Sequence, residues 1–170
     1  FNQFKVKIYK AEKINTHGGS LRIYIKKNNK IKIEKSVKNL IKEEEKFGIK
    51  KYKTYQDFGK KVYQIRSNVL KKIKELKKQN KKIIGYGAPA KATTALNFFG
   101  LTNEIDFIVE DNKLKHNKFI PGVKIEIKNK SYIKNKDNIL LILAWNFYEE
   151  IKKNNLKLSN NFINIKSLED

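Results

Sequence analysis

KIIGYGAPAKATTALNFFG, residues 82–100, is the stretch on which the reading of this chain turns. A short apolar run, Ile83 to Gly87, is too brief for a helix and bounded by a Gly and Ala turn, as a buried strand is. The residues after Pro89 regain a helical spacing that ends at Gly100. Strand, tight loop and helix therefore follow one another within 19 residues. Working toward the carboxyl end, apolar runs recur at 105–109 (IDFIV), at 139–143 (ILLIL) and near Phe162 to Ile165, with a helical stretch EEIKKNN between the last two. Strands separated by helices pair in parallel through crossovers. The predicted fold class is α/β: a Rossmann-like small parallel sheet with flanking helices.

The loop itself is the first candidate site. Gly85 permits a sharp turn, Gly87 lets backbone approach a ligand, and Tyr86 and Ala88 lie between and beside them. Free N–H groups at the start of the helix attract a phosphate, and Lys91 adds charge to the same anion. Pro89 suits the first helical turn, where its missing N–H costs nothing. Ala90 stands where the dinucleotide fingerprint has its third glycine, and Glu110, with Asp111, ends the next strand where ribose-binding acids sit. Ala144-Trp145-Asn146-Phe147 follows the third strand, at the carboxyl edge where open α/β sheets bind ligands. Trp145 either stacks on a base or sugar or joins the core, and Asn146 either caps a helix or bonds a ligand. The expected substrate-binding set is Gly85, Tyr86, Gly87, Ala88, Lys91, Glu110, Trp145 and Asn146. A loop His before two glycines, His17, is the one candidate for proton transfer. His116, set among lysines, is read as a surface residue, and Gly122 in FIPG as a turn residue free to take positive φ.

Toward the amino end, FKVKIY (4–9) and LRIYI (21–25) alternate apolar with polar across a turn holding Gly18 and Gly19, which predicts a strand pair. Ser36 is placed to cap a short helix over 36–47 stopped by Gly48. Thr54 is placed to cap a long one running to about Gln79, with an apolar stripe through Phe58, Val62, Ile65, Val69, Ile73 and Leu76. The expected organisation is 1–26 as strands of another domain, 27–80 as a helical connector and 81–170 as the Rossmann-like domain. The chain begins at Phe1 and holds no methionine, which suggests a fragment.

Composition narrows the function. No cysteine is present and the two histidines are far apart, so no structural metal is expected in this chain. Nothing approaches the roughly 20 apolar residues of a membrane span, and a cytoplasmic location follows as the default. The formal net charge of +22 invites a polyanion-binding reading. Only Arg22 and Arg66 among 39 basic residues are arginine, however, and lysine is scattered with an excess of Asn and Ile, as AT-rich codon usage produces. A basic module for nucleic acid or another polyanion and a stand-alone nucleotide-binding Rossmann domain stand as the alternatives, and nucleic acid and membrane are not expected partners.

Four ordered motifs carry a resemblance: THGGSLR (16–22), IIGYGAPAKATTALNFFGL (83–101), EDNKLKHNKFIPG (110–122) and LAWNFYEEI (143–151). Together they resemble the C-terminal region of the sugar C-methyltransferases, which methylate carbon 3 of nucleotide-linked 4-keto deoxysugars. The resemblance implies S-adenosylmethionine as cofactor, bound by an upstream domain absent here, and a nucleotide-sugar substrate, dTDP-linked, facing this domain. It also implies that residues 1–26 close the upstream methyltransferase domain and that His17, in its matching HGGS motif, is the one acid/base candidate within the chain. The chain by itself is then expected to be catalytically incomplete.

Overall fold

A computed structural model of the chain describes residues 2–16, 18–27 and 30–170. It divides into two compact units, residues 1–60 and 61–170.

In the first unit, β1 (Lys7–Ile14) pairs antiparallel with β2 (Ser20–Lys26), from Lys7 opposite Lys26 to Ile14 opposite Ser20. The hairpin is the one the sequence predicts, but its first strand lies about three residues later than 4–9, with Phe4 in a 3-10 turn. A bulge between Ile8 and Lys10 breaks the simple alternation, which is why its register could not be counted from FKVKIY. On β2, Leu21, Ile23 and Ile25, on one face by the period of two, all remain exposed. Next comes α1 (Lys35–Phe47), stopped as expected by Gly48, whose φ of 86° lets its N–H reach the carbonyls of Glu44 and Glu45. Ser36 is not its cap: the helix begins one residue earlier, and the Ser36 hydroxyl accepts from the Ala11 N–H at 3.2 Å. Thr54 is likewise inside α2 (Tyr52–Lys77), and its hydroxyl donates to the Gly48 carbonyl at 2.8 Å.

The second unit opens within α2, at Lys61, and Val69 and Ile73 of that helix are fully buried in its core. There follow β3 (Ile83–Tyr86), α3 (Ala90–Phe99), β4 (Phe107–Val109), β5 (Ile127–Lys128), β6 (Ile139–Ile142), α4 (Tyr148–Asn154) and β7 (Asn161–Asn164). The five strands form one parallel sheet in the order β5-β4-β3-β6-β7. This is the predicted Rossmann-like α/β fold. Its central strands β3 and β6 are buried on both faces, and side chains along the sheet alternate between two apolar layers. Ile83, Ile108, Ile139 and Leu141 meet Val69, Ile73, Ala92 and Leu96, whereas Ile84, Tyr86, Val109, Leu140 and Ile142 meet Tyr148, Ile151 and Leu158. Helices α2 and α3 thus cover one face, and α4 the other.

The strand missed by sequence is β5. Its two residues sit in KIEIK (124–128), whose Ile125 and Ile127 alternate with charges and are both buried. Between β4 and β5 the chain makes no α-helix. It runs instead through a 3-10 turn at Lys113–Lys115 and a turn at Pro121-Gly122, where Gly122 has φ 84°. A Cβ at Gly122 would lie 2.0 Å from Asn97 Oδ1, and Asn97 Nδ2 donates to the Pro121 carbonyl at 2.9 Å, so this excursion is fitted closely to α3.

Candidate functional site

From β3 the chain moves outward through β4 to β5, then returns to lay β6 on the other side of β3. The connections leaving β3 and β6 at their carboxyl ends therefore diverge, and a crevice opens between them where such sheets take ligands. The two loops singled out by sequence flank this switch point.

The loop after β3 is drawn tight. Gly87 has φ 89°, and a Cβ there would come 2.9 Å from the Ala144 Cβ, so only glycine lets the two loops approach this closely. Its N–H donates to the Val109 carbonyl at 2.8 Å. Gly85, expected to turn the chain, lies instead inside β3; what it provides is room, since a Cβ would meet Ile108 Cγ1 at 2.7 Å and Leu143 Cδ1 at 2.9 Å. Ala88 is buried, and Pro89 sits at the N-cap of α3. The N–H groups of Ala90 and Lys91 have no acceptor among the described residues.

Glu110 holds this loop. One carboxylate oxygen accepts from the Ala88 N–H at 2.8 Å, the other from the Asn112 N–H at 3.1 Å. Lys115 Nζ donates to the Ala88 carbonyl at 2.9 Å and lies 3.5 Å from the same carboxylate. Burial alone would raise the Glu110 pKa, but the two amides and Lys115 outweigh it and hold the group below the usual carboxylate range. The residue expected to meet a ribose thus has both oxygens engaged within the chain. His116, read as a plain surface residue, is half-buried with Nε2 2.8 Å from the Glu110 carbonyl oxygen.

Across the crevice, Trp145 lies in a 3-10 turn (Trp145–Phe147), half-buried and packed on the larger core cluster. Lys91 Nζ stands 4.3 Å from its ring centroid, a cation–π contact joining the two loops. Asn146 is exposed and caps nothing, for the residue flanking α4 is Phe147.

Tyr86 points to the opposite face of the sheet. Only 2% exposed, it donates to Asp111 Oδ2 at 2.9 Å, with Asn155 Oδ1 at 3.3 Å. Lys130 completes the group, 2.5 Å from Asp111 Oδ1 and 3.0 Å from Asn155 Oδ1. Burial raises the Tyr86 pKa and keeps the phenol protonated. Sequence reasoning named Asp111 only beside Glu110 and missed Lys115, Lys130 and Asn155; one more lysine in a lysine-rich chain gives no signal.

Of the predicted set, then, Gly87, Ala88, Lys91, Glu110, Trp145 and Asn146 lie at the crevice or in its loops, while Gly85 and the Tyr86 side chain serve the sheet. His17 lies outside the described residues. Among the described residues no group of three or more His, Asp or Glu gathers to hold a metal, and no helix is long and apolar enough to cross a membrane.

The sequence profile of the C-methyltransferase C-terminal domain family matches residues 15–163. The chain belongs to that family. A relative of this C-methyltransferase C-terminal domain is the C-methyltransferase NovU of Streptomyces niveus, 26% identical over 157 residues. The match covers 91% of the chain but 37% of NovU, so the chain spans little more than a third of that relative's length.

Proposed function

We propose that this chain is the substrate-side domain of an S-adenosylmethionine-dependent C-methyltransferase acting on a nucleotide-linked 4-keto deoxysugar, dTDP-linked in our reading. The observation that carries the proposal is the crevice at the β3/β6 switch point, bordered by Gly87 and Lys91 on one side and Ala144 and Trp145 on the other. Unpaired N–H groups of Ala90 and Lys91 and the Lys91 ammonium suit the diphosphate, and the Trp145 ring and Asn146 amide suit a sugar or base. Family membership supplies the reaction class.

S-adenosylmethionine itself does not suit this edge. Its sulfonium cation would meet Lys91 and Lys115, while the carboxylates of Glu110 and Asp111 are engaged by amides and by Lys130. The donor, which supplies an electrophilic methyl group, is therefore assigned to an upstream domain of the same enzyme, which β1 and β2 would complete. In that reading the chain alone holds substrate without methylating it, in the cytoplasm. The Glu110 clamp on the Ala88 amide keeps the phosphate-facing loop preformed, so that substrate binding orders little.

Calorimetric titration at near-physiological salt with a dTDP-sugar, dTDP, NADH and S-adenosylmethionine tests the proposal. The dTDP-sugar is expected to bind best, and Trp145→Ala and Asn146→Ala to weaken it while circular dichroism stays unchanged. Preference for NADH, or binding indifferent to both substitutions, would overturn it.

A further inference from the structure

At the opposite edge of the sheet, where β3, β4 and β6 begin, Lys81, Lys82, Phe107, Tyr132, Lys134 and Asn138 border a cavity of about 320 Å³. That volume falls at the lower end of small-molecule sites, about 300–1,000 Å³. Nothing in the proposed methyl transfer uses it.

Three kinds of group meet there. Lys81, Lys82 and Lys134 form no ion pair among the described residues, unlike Lys77 and Lys128. Phe107 and Tyr132 stand edge to face, centroids 6.5 Å apart at 68°, with Tyr132 exposed. Asn138 is only 8% exposed. Its backbone is satisfied, the N–H by the Asn135 carbonyl at 3.3 Å and the carbonyl by the Ser159 hydroxyl at 2.7 Å. Its side-chain amide has no partner among the described residues. No fully enclosed side-chain nitrogen or oxygen is left unpaired there, so this amide keeps a remnant of contact with solvent, at the cavity it lines. A nearly buried amide without a partner costs free energy that a bound group would recover. Asp137, also in the lining, has a carboxylate that accepts from N–H or O–H groups and repels a ligand that is anionic throughout.

We propose that this cavity binds a small phosphorylated molecule carrying a planar ring, with the size and chemistry of a mononucleotide. The lysines take the phosphate, the part of the exposed Tyr132 ring left open by Lys128 Nζ, which stands 4.9 Å from its centroid, packs on the planar ring, and Asn138 with Asp137 bonds the polar edge of the ring or the ribose. The inference does not depend on the proposed methyltransferase substrate, which lies at the other edge of the sheet.

Nitrogen-proton correlation spectra of the chain at near-physiological salt, titrated with uridine and adenosine 5′-monophosphates and, separately, with uridine and inorganic phosphate, provide the test. Saturable shifts centred on Tyr132, Lys134 and Asn138 are expected, with at least one mononucleotide binding more tightly than either part. Asn138→Ala should weaken it about tenfold. Should that variant unfold, Lys134→Glu, at an exposed position, should do likewise with the fold intact. Shifts confined to Gly87 and Ala144, equal responses to mononucleotide and inorganic phosphate, or silence toward both mononucleotides would overturn the proposal.

Discussion

Glu110 joins three segments through one carboxylate: the loop after β3 at Ala88, its own strand exit at Asn112, and Lys115. Its pKa is depressed in the folded chain, so it contributes stability that is present above its unfolded-state pKa and lost as pH falls through the lower folded value. Stability measured by urea unfolding should therefore decline on acidification from the ordinary carboxylate range downward, and Glu110→Gln should reduce that dependence. Near neutral pH the substitution should cost about 1–2 kcal/mol, because the amide oxygen replaces only one of two charge-assisted acceptors. An unchanged pH profile would mean the clamp contributes nothing. Sequence showed an acid at a strand exit but not what it holds, since the Ala88 N–H comes within reach only once β3 and β4 pair. The need for glycine at 87 was legible in the β-loop-α pattern. Its physical cause, the approach of Ala144 from 57 residues away, was not.

Helix α2 shows the same division at the level of an element. Its apolar period runs unbroken from Phe58 to Leu76, yet Phe58 is 67% exposed and Ile73 is fully buried. Periodicity reports which face is apolar, and tertiary packing decides how much of it is covered. Ile73→Ala should cost about 2–5 kcal/mol through lost contacts and a cavity against Ile83 and its neighbours. Phe58→Ala should stay within about 0.5 kcal/mol, as at an exposed site. Thermal or urea unfolding of the two variants separates them; equal losses would sink this account of the helix. The sheet was legible in the apolar runs that became β3, β4 and β6, and near Phe162, which lies in β7. It was not at β5, whose two residues gain their strand character from pairing with β4 on one side and with the 117–118 backbone on the other.

For the whole molecule, the charge of +22 is the property most easily misread. Exposed lysines attract any polyanion through counterion release, with an affinity that collapses as salt rises. Binding to a mixed-sequence DNA duplex should accordingly vanish between low and physiological salt, whereas dTDP-sugar binding should persist. Filter binding alongside the calorimetry shows both, and DNA affinity surviving physiological salt would favour the basic-module reading. Family and fold were legible because four motifs keep their order across most of the chain; the cavity at the far edge was not, because Lys81, Tyr132 and Asn138 meet only when the sheet closes. One arrangement at the crevice has a practical side. The chain's single tryptophan is Trp145, and the Lys91 ammonium stands over its indole. An anion that draws Lys91 toward itself takes the charge off that ring, so the indole's emission should change in intensity and wavelength as the crevice fills. The fold carries its own optical reporter of occupancy, free of background from any other indole in the chain.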